Sequence, residues 1–456
     1  MLREIFKETE LYNDITNDEH KKSQGQFFTS MRTVEFMGDF CTPRSRSVSI
    51  LDPGAGNGSL TAAAVKHLVD NLLCDEIRIT LVENDESIIP LLKKSISLIQ
   101  DYCEDNNVKC SANLVISNFI LATFDSKYDL IICNPPYKKV RKTSVEAIKM
   151  QEYVYGQPNL YALFMAKSLS LMNDGGEFVF ITPRSWTSGS YFTRVRRAVQ
   201  NELSINKIHV FNSRKKTFTE ENVLQETMIL FARKTKQSNS IKISISEDDS
   251  YKGILTFDID ADIIKNVGTE DYLLIPGSLE ESKLISDMKA MPETFESLGY
   301  VFRTGPVVEF RNKELISEQA TDIFNVPMFR SLNIKNDTLV FPVSSGKAQY
   351  VSSNAHHLLV RNEDTVLVKR LSAKEENRRI QSCVYYRQGA APYMSVENHV
   401  NYVARKDGKA LTKEEAEWIH SVLSSEKYDV FFRIINGSTQ VNAAELNILP
   451  VRRVAL

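Results

Sequence analysis

The stretch Ser47-Val48-Ser49-Ile50-Leu51-Asp52-Pro53-Gly54-Ala55-Gly56-Asn57-Gly58 decides how the rest of the chain is read. Its first half, Ser47 to Asp52, has the apolar, β-branched character of a strand. Its second half is a glycine turn that opens a helix over Leu60 to Leu73. Glycines let backbone pass close to a ligand, and a helix N-terminus adds partial positive charge. A turn built for pyrophosphate would carry G-x-G-x-x-G, whereas Gly54, Gly56 and Gly58 simply alternate. The turn also begins with the acidic Asp52, which suits a cationic, phosphate-free ligand.

Outward from this stretch, short apolar runs alternate with amphipathic helical segments up to about Arg233. Ile77 to Glu83, Val108 to Ile116 and Tyr128 to Cys133 read as strands, as do Glu177 to Thr182, Ile205 to Phe211 and Gln225 to Phe231. Ser87 to Tyr102, Tyr161 to Met172 and Arg194 to Leu203 read as helices. Repeated β-α-β of this kind predicts an α/β fold, a parallel sheet wrapped on both faces, with ligands beyond the C-terminal strand ends. Past Lys234 the rhythm stops at the polar run Lys236-Gln237-Ser238-Asn239-Ser240. We therefore expect one domain over 1–236 and a second, mixed α/β domain over 237–456.

With 456 residues, two domains are the natural prior. A hydrophobic content of 42% and a charged content of 25% describe a globular chain rather than a disordered one. No apolar stretch is long enough to span a bilayer, and the N-terminus lacks a signal-peptide core, so a cytoplasmic protein without membrane contact is expected. The six cysteines show no C-x-x-C spacing and no histidine partners, which argues for reduced thiols and no metal site. A formal net charge of −2 speaks against a general polyanion binder but leaves room for a local basic face. Candidates for such a face are Lys138 to Lys142, Arg194 to Arg197, Arg214 to Lys216, and Lys369-Arg370 with Arg378-Arg379.

Three strand ends carry chemistry. Glu83 closes the second strand, where a carboxylate can accept from both hydroxyls of a ribose. Asn118 and Phe119 follow the third, an amide that can pair with an adenine edge and a ring to pack beside it. The fourth strand ends in Asn134-Pro135-Pro136-Tyr137. Two prolines remove two backbone donors and stiffen the loop, so its carbonyls are left to accept. The Asn134 amide adds a side-chain acceptor and Tyr137 an aromatic face. That set suits an exocyclic amino group on a flat heterocycle, above all a nucleobase taken out of its helix.

Gln24-Gly25-Gln26-Phe27-Phe28-Thr29, the Asp52 to Gly58 turn, Glu83 and the Asn134 to Tyr137 loop occur in an order that resembles the γ-class N6-adenine DNA methyltransferases of type II restriction–modification systems. The resemblance spans Lys22 to about Arg233, with a weaker likeness at Gly437-Ser438-Thr439-Gln440-Val441-Asn442. It implies a seven-stranded, Rossmann-like sheet that binds S-adenosylmethionine, followed by a C-terminal target-recognition domain that reads double-stranded DNA. It places Phe27, Thr29, Asp52, Gly54 and Gly56 along the methionine portion of the cofactor, Glu83 at its ribose, and Asn118 with Phe119 at its adenine. Asn134 and Pro135 would grip the target amino group, with Pro136 completing the loop and Tyr137 and Phe218 stacking on the extruded base. Asn118 stands where the family commonly has Asp, and Ser30 where it commonly has Pro. The resemblance further implies a monomer, associated with the nucleoid through DNA, that protects host DNA against a separate cognate endonuclease. Arg303, Arg330, Lys369, Arg370, Arg387 and Asn436 are plausible DNA contacts.

Rival readings use the same loop. A protein glutamine methyltransferase grips a side-chain amide this way, though such chains are usually shorter. An RNA adenine methyltransferase shares the chemistry. Cytosine N4 enzymes favour Ser first and Trp last in the tetrapeptide. Intact Asn134, Tyr137 and the Gly54 to Gly58 loop argue against a DNA-binding protein that has lost turnover, and the lack of a metal-dependent nuclease triad or of spare length argues against a fused endonuclease.

Overall fold

The computed structural model describes residues 1–15, 28–212, 227–265, 271–372, 376–436 and 440–453. Among them, nine strands form one sheet: β1 (Ser47–Asp52), β2 (Glu76–Glu83), β3 (Lys109–Ile116), β4 (Tyr128–Cys133), β5 (Met172–Pro183), β6 (Ser204–Phe211), β7 (Thr227–Arg233), β8 (Ser240–Ser246) and β9 (Leu255–Asp260). Their spatial order is β3-β2-β1-β4-β5-β7-β6-β8-β9. β1 to β5 pair in parallel, β7 runs antiparallel to both β5 and β6, and β8 returns parallel to β6. The C-terminal ends of β1, β2, β3 and β4 therefore open on one edge.

Ile50, Leu81, Leu130, Ile131 and Ile132 are fully buried. Strands covered on both faces cannot alternate with polar residues, which is why these runs are continuously apolar. The helix Ser59–Asp70 buries nine of its residues, and the helix Leu160–Ser170 eight. The helix Ile89–Asp105 keeps a polar side out, burying Leu91, Leu92, Ser95, Ile99 and Cys103. All six cysteines are free thiols, five of them buried.

The seven expected strands are present, and β8 and β9 extend the sheet past them. Ile241, Ile243 and Ile245 alternate inward, while Lys242 and Ser244 face the more polar side. This Ser- and Lys-spaced run followed a polar segment and read as the start of something irregular. Consequently the compact units are Met1–Tyr272 and Leu273–Leu456, not a division after Lys236.

The second unit is built from short strands. Tyr300–Thr304, Val400–Arg405, Thr365–Lys369 and Ser382–Tyr385 form a four-stranded antiparallel sheet in that order. A further five-stranded sheet centres on Val326–Phe329 and Tyr393–Val396. The helix Lys413–Ser424 starts at a reciprocal capping box between Thr412 and Glu415. No helix among the described residues is long and apolar enough to cross a membrane.

Candidate functional site

At the end of β1 the chain must reverse into the helix Ser59–Asp70 within a few residues. Gly56 and Gly58 make the reversal at φ +52° and +78°, a region L side chains rarely adopt. A Cβ on Gly58 would also lie 3.0 Å from Leu92 Cδ1 and 3.2 Å from Ser95 Cβ. Gly54 differs. A Cβ there would meet nothing nearer than Phe164 Cε1 at 3.5 Å, an ordinary contact. Among the described residues nothing demands glycine at 54; what it spares is room in the cavity it lines.

That cavity runs along the C-terminal ends of β1, β2, β3 and β4. Pro53, Gly54 and Gly56 line it from β1, and Val82, Glu83 and Asn84 from β2. Ser117, Asn118 and Phe119 line it from β3, and Asn134, Pro135 and Pro136 from β4. Four separate sequence signals thus meet in one place.

Glu83 is held by three backbone donors: Gly56 N–H to Oε2 at 2.9 Å, and Asn84 and Asp85 N–H to Oε1 at 2.8 and 2.9 Å. Burial pushes its carboxyl up, and those three donors oppose the shift. The glycine turn and the β2 carboxylate are therefore one unit, closed further by Ala55 N–H on the Val82 carbonyl at 3.0 Å. Asp52 lies fully buried beneath this wall and is not part of it. Its Oδ2 accepts from the Thr61 hydroxyl at 2.9 Å, and among the described residues its Oδ1 has no hydrogen-bond partner. Burial pushes the Asp52 carboxyl up to about 7; Thr61 and the nearby Gly54 amide restrain the shift, and the Glu83 charge adds to it.

At β3, Asn118 is spoken for on both sides. Its Oδ1 accepts from Ile120 N–H at 3.0 Å and its Nδ2 donates to Glu146 Oε1 at 2.9 Å. The turn that follows is clamped by Lys167, whose ammonium donates to the carbonyls of Phe119, Ile120 and Ala122. Phe119 is buried, packed against Phe164 with ring centroids 5.0 Å apart.

At β4, the Asn134 amide Nδ2 donates to the buried Thr29 hydroxyl at 3.0 Å, which sets the plane of the amide. Thr29 is placed by the helix Met31–Gly38, which Ser30 caps through the Thr33 N–H. A capping serine is a physical reason to accept Ser30 in place of proline. The Tyr137 hydroxyl donates to the Ile181 carbonyl at 3.2 Å, and its ring meets Tyr161 edge-on at 6.0 Å. Burial raises the Tyr137 phenol, so it stays a donor. Tied at its tip, the ring is held in one orientation.

The structure thus brings Gly54, Gly56, Glu83, Asn118, Phe119, Asn134, Pro135 and Pro136 to one cavity, with Asp52, Thr29 and Tyr137 behind or beside them. Phe27 and Phe218 lie outside the described residues. Phe28 and Lys138, named in sequence only as parts of a motif and of a basic run, also line the cavity, as do Val82, Glu146 and Phe164, which carry no sequence signal of their own. Phe164 sits on a helix buried all round, where a ligand wall looks like core. Glu146 lies on a short helix, Val145–Lys149, with no periodicity to mark it.

The basic clusters divide. Lys138, Lys139, Arg141 and Lys142 are exposed. Arg196 is fully buried, donating to the Trp186, Gly189 and Asp271 carbonyls, and Arg197 pairs with Asp271. Arg194 reaches the carbonyls of Gln151, Glu152 and Val154. That arginine run is a structural clamp. In the second unit Arg330 and Asn436 are buried, Arg330 on Glu309 and the Ala348 carbonyl, Asn436 on Glu445 and the Gln440 carbonyl. Arg303 and Arg387 are exposed. Arg214 to Lys216 and Gly437 to Thr439 lie outside the described residues, while Val441 is pinned by Asn401 and Arg370.

Residues 60–218 match the family model described as Eco57I restriction-modification methylase. Type II methyltransferase M.BsuBI of Bacillus subtilis is 33% identical over 94% of this chain and 88% of its own length. Type II methyltransferase M.PstI of Providencia stuartii is 33% identical over 95% and 88%. In fold, the chain aligns with a cryo-EM structure of a DrdV–DNA complex at a TM-score of 0.51 and 12% identity, covering 90% of this chain and 52% of that one. Identity at one position in three, sustained along nearly the whole of both relatives, makes this chain a member of the type II restriction–modification methyltransferases.

Proposed function

We propose that the chain is a site-specific DNA adenine N6-methyltransferase that takes its methyl group from S-adenosylmethionine. The observation that carries this reading is the meeting of Asn134, Pro135 and Pro136 with Gly54, Glu83 and Asn118 in one cavity. An amino-gripping loop and a nucleoside-shaped site share a wall. The donor set fits the cofactor. Gly54 leaves space that the protein does not use, Glu83 can accept from ribose hydroxyls, and the buried, unpartnered Asp52 Oδ1 favours a cation nearby.

The bound cofactor would supply an electrophilic sulfonium methyl. The residues of this chain do the rest. Adenine N6 is a poor nucleophile because its lone pair is delocalised into the ring. Asn134 Oδ1 and the Pro135 carbonyl, accepting its two N–H bonds, let the nitrogen pyramidalise and aim its lone pair at the methyl. As the nitrogen–carbon bond formed, the sulfur–methyl bond would break, and one N6 proton, made acidic by the developing charge, would pass to water. Thr29, by holding Asn134 Nδ2, orients that oxygen. Rate enhancement then comes from positioning and preorganised dipoles. Reaching the methyl requires the adenine to leave its duplex, at a cost of a few kcal/mol. Tyr137, tied to Ile181, offers one stacking face, and Phe218 the other.

The second unit, Leu273–Leu456, is the part to which we assign reading of the DNA sequence. The biological role would be protection of DNA from a separate cognate endonuclease, by a monomer acting in the cytoplasm. Incubation of the purified chain with methyl-labelled S-adenosylmethionine and mixed-sequence duplex DNA, followed by nucleoside digestion, tests the reading. Label in N6-methyladenine is expected. Label in N4-methylcytosine, in RNA alone or in protein alone would overturn it.

A further inference from the structure

Resting on the reading above, the β3 end of the cavity still needs an acceptor for the cofactor's own adenine amino group. Asn118 offers only a neutral oxygen that already accepts Ile120 N–H, and its Nδ2 donates to Glu146. Glu83, at the β2 end, is assigned above to the ribose hydroxyls, and its two oxygens also hold three backbone N–H groups. Of the described residues lining the cavity, the only other carboxylate is Glu146. It arrives from the far side, on the segment that follows β4, and is half-buried. Val82, Phe119 and Phe164 line the same cavity and supply the apolar walls a flat purine needs.

We propose that Glu146 accepts the exocyclic amine of the cofactor's adenine, and that Asn118 positions Glu146 by donating to it. The two residues work as a pair because their chemistry is complementary. A carboxylate at 118 would face the Glu146 carboxylate across a 2.9 Å contact, and like charges that close repel. An amide at 118 instead donates to Glu146 Oε1 and leaves Glu146 Oε2 to the ligand. The negative charge for the amine thus comes from the segment after β4, and not from β3.

The pair can be tested by titration calorimetry on the full chain with two probes, S-adenosylhomocysteine and its inosine analogue. The analogue replaces the amine with a carbonyl, so it can offer no N6 donor. The wild type is expected to prefer the adenine probe. Glu146→Ala should weaken that probe by about tenfold or more, as for a lost hydrogen bond to a charged group, and leave the inosine probe within about twofold. Asn118→Asp should weaken the adenine probe by about tenfold through repulsion, and the double variant Asn118→Asp/Glu146→Gln should recover most of it, because donor and acceptor are merely exchanged. Circular dichroism melting confirms that each variant is folded.

If Glu146→Ala weakens both probes equally, Glu146 is only a latch across the cavity and the assignment is overturned. Unchanged adenine-probe affinity in Glu146→Ala overturns it as well, as does failure of the double variant to recover. Failure of the wild type to bind S-adenosylhomocysteine would be a different result, removing the cofactor reading itself and the assignment with it.

Discussion

Asp52 at the end of β1 and His209 in β6 are both buried ionisable groups of one sheet, and the fold treats them in opposite ways. His209 is completely satisfied: Nδ1 meets Ser244 Oγ at 2.9 Å and Nε2 meets Ser246 Oγ at 3.1 Å. Phe36, Phe211 and Tyr251 box its ring, and burial pushes its pKa down to about 3, so it is neutral. Asp52 is left short, with one oxygen orphaned and its carboxyl pushed up to about 7. A buried polar group that its own fold satisfies is structure; one that the fold leaves waiting points to a ligand. His209 stitches β8 to the sheet, whereas Asp52 underlies the cavity.

Truncation tests the first half of this contrast most severely. A chain ended after Lys236 strips away Ser244, Ser246 and both outer strands, and should show no cooperative thermal transition by circular dichroism. A chain ended after Tyr272 should melt cooperatively. A cooperative transition in the shorter piece would show that His209 and β8 are not needed for the sheet.

Asn134→Ala probes the site end. Methyl transfer should fall by roughly 10²- to 10³-fold, as for loss of one preorganised polar group at a reacting centre. Calorimetric affinity for S-adenosylmethionine and the melting temperature should hardly move. Retained transfer in a label-incorporation assay would remove Asn134 from its role.

Smaller effects appear in pH dependence, with opposite signs. Asp52 has a folded pKa of about 7 against an ordinary 3.8, so the native state holds more protons across that interval. Its contribution to stability is greatest below the ordinary value and is lost as pH rises through about 7. Asp52→Asn should therefore be more stable than wild type at pH 8, by on the order of a few kcal/mol in urea denaturation, with no advantage at pH 4. His209 has a folded pKa of about 3 against 6.5, so the unfolded state holds more protons, and stability is lost as pH falls from 6.5 toward 3. His209→Gln should flatten that acid limb. Equal pH profiles for the two variants would erase the distinction drawn between the residues.

Much of the catalytic unit is legible along the chain. Strand β4 is read at its own bounds, Tyr128–Cys133, and β1 at Ser47–Asp52, because a fully covered strand must be a continuous apolar run. The glycine turn and the Asn134 to Tyr137 loop announce themselves for a related reason: backbone conformations that only glycine or proline supply leave a mark in sequence. Less visible are the residues that act through a neighbour. Thr29 is named by the resemblance, but its hold on Asn134 is not, nor is the clamp of Lys167 on the turn after Asn118; these contacts span 105 and roughly 45 residues of chain. Arg196 reads as a basic surface and is instead fully buried on three carbonyls.

By itself the order of residues determined the α/β alternation, the glycine turn and the tetrapeptide, since each rests on local periodicity or on backbone constraint within a few positions. Tertiary structure alone decided that β8 and β9 join the sheet, that the first unit runs to Tyr272, and that Glu146 crosses from the β4 segment to meet Asn118 at the end of β3. Those outcomes depend on which distant groups come within a hydrogen bond of each other, and separation along the chain carries no record of that.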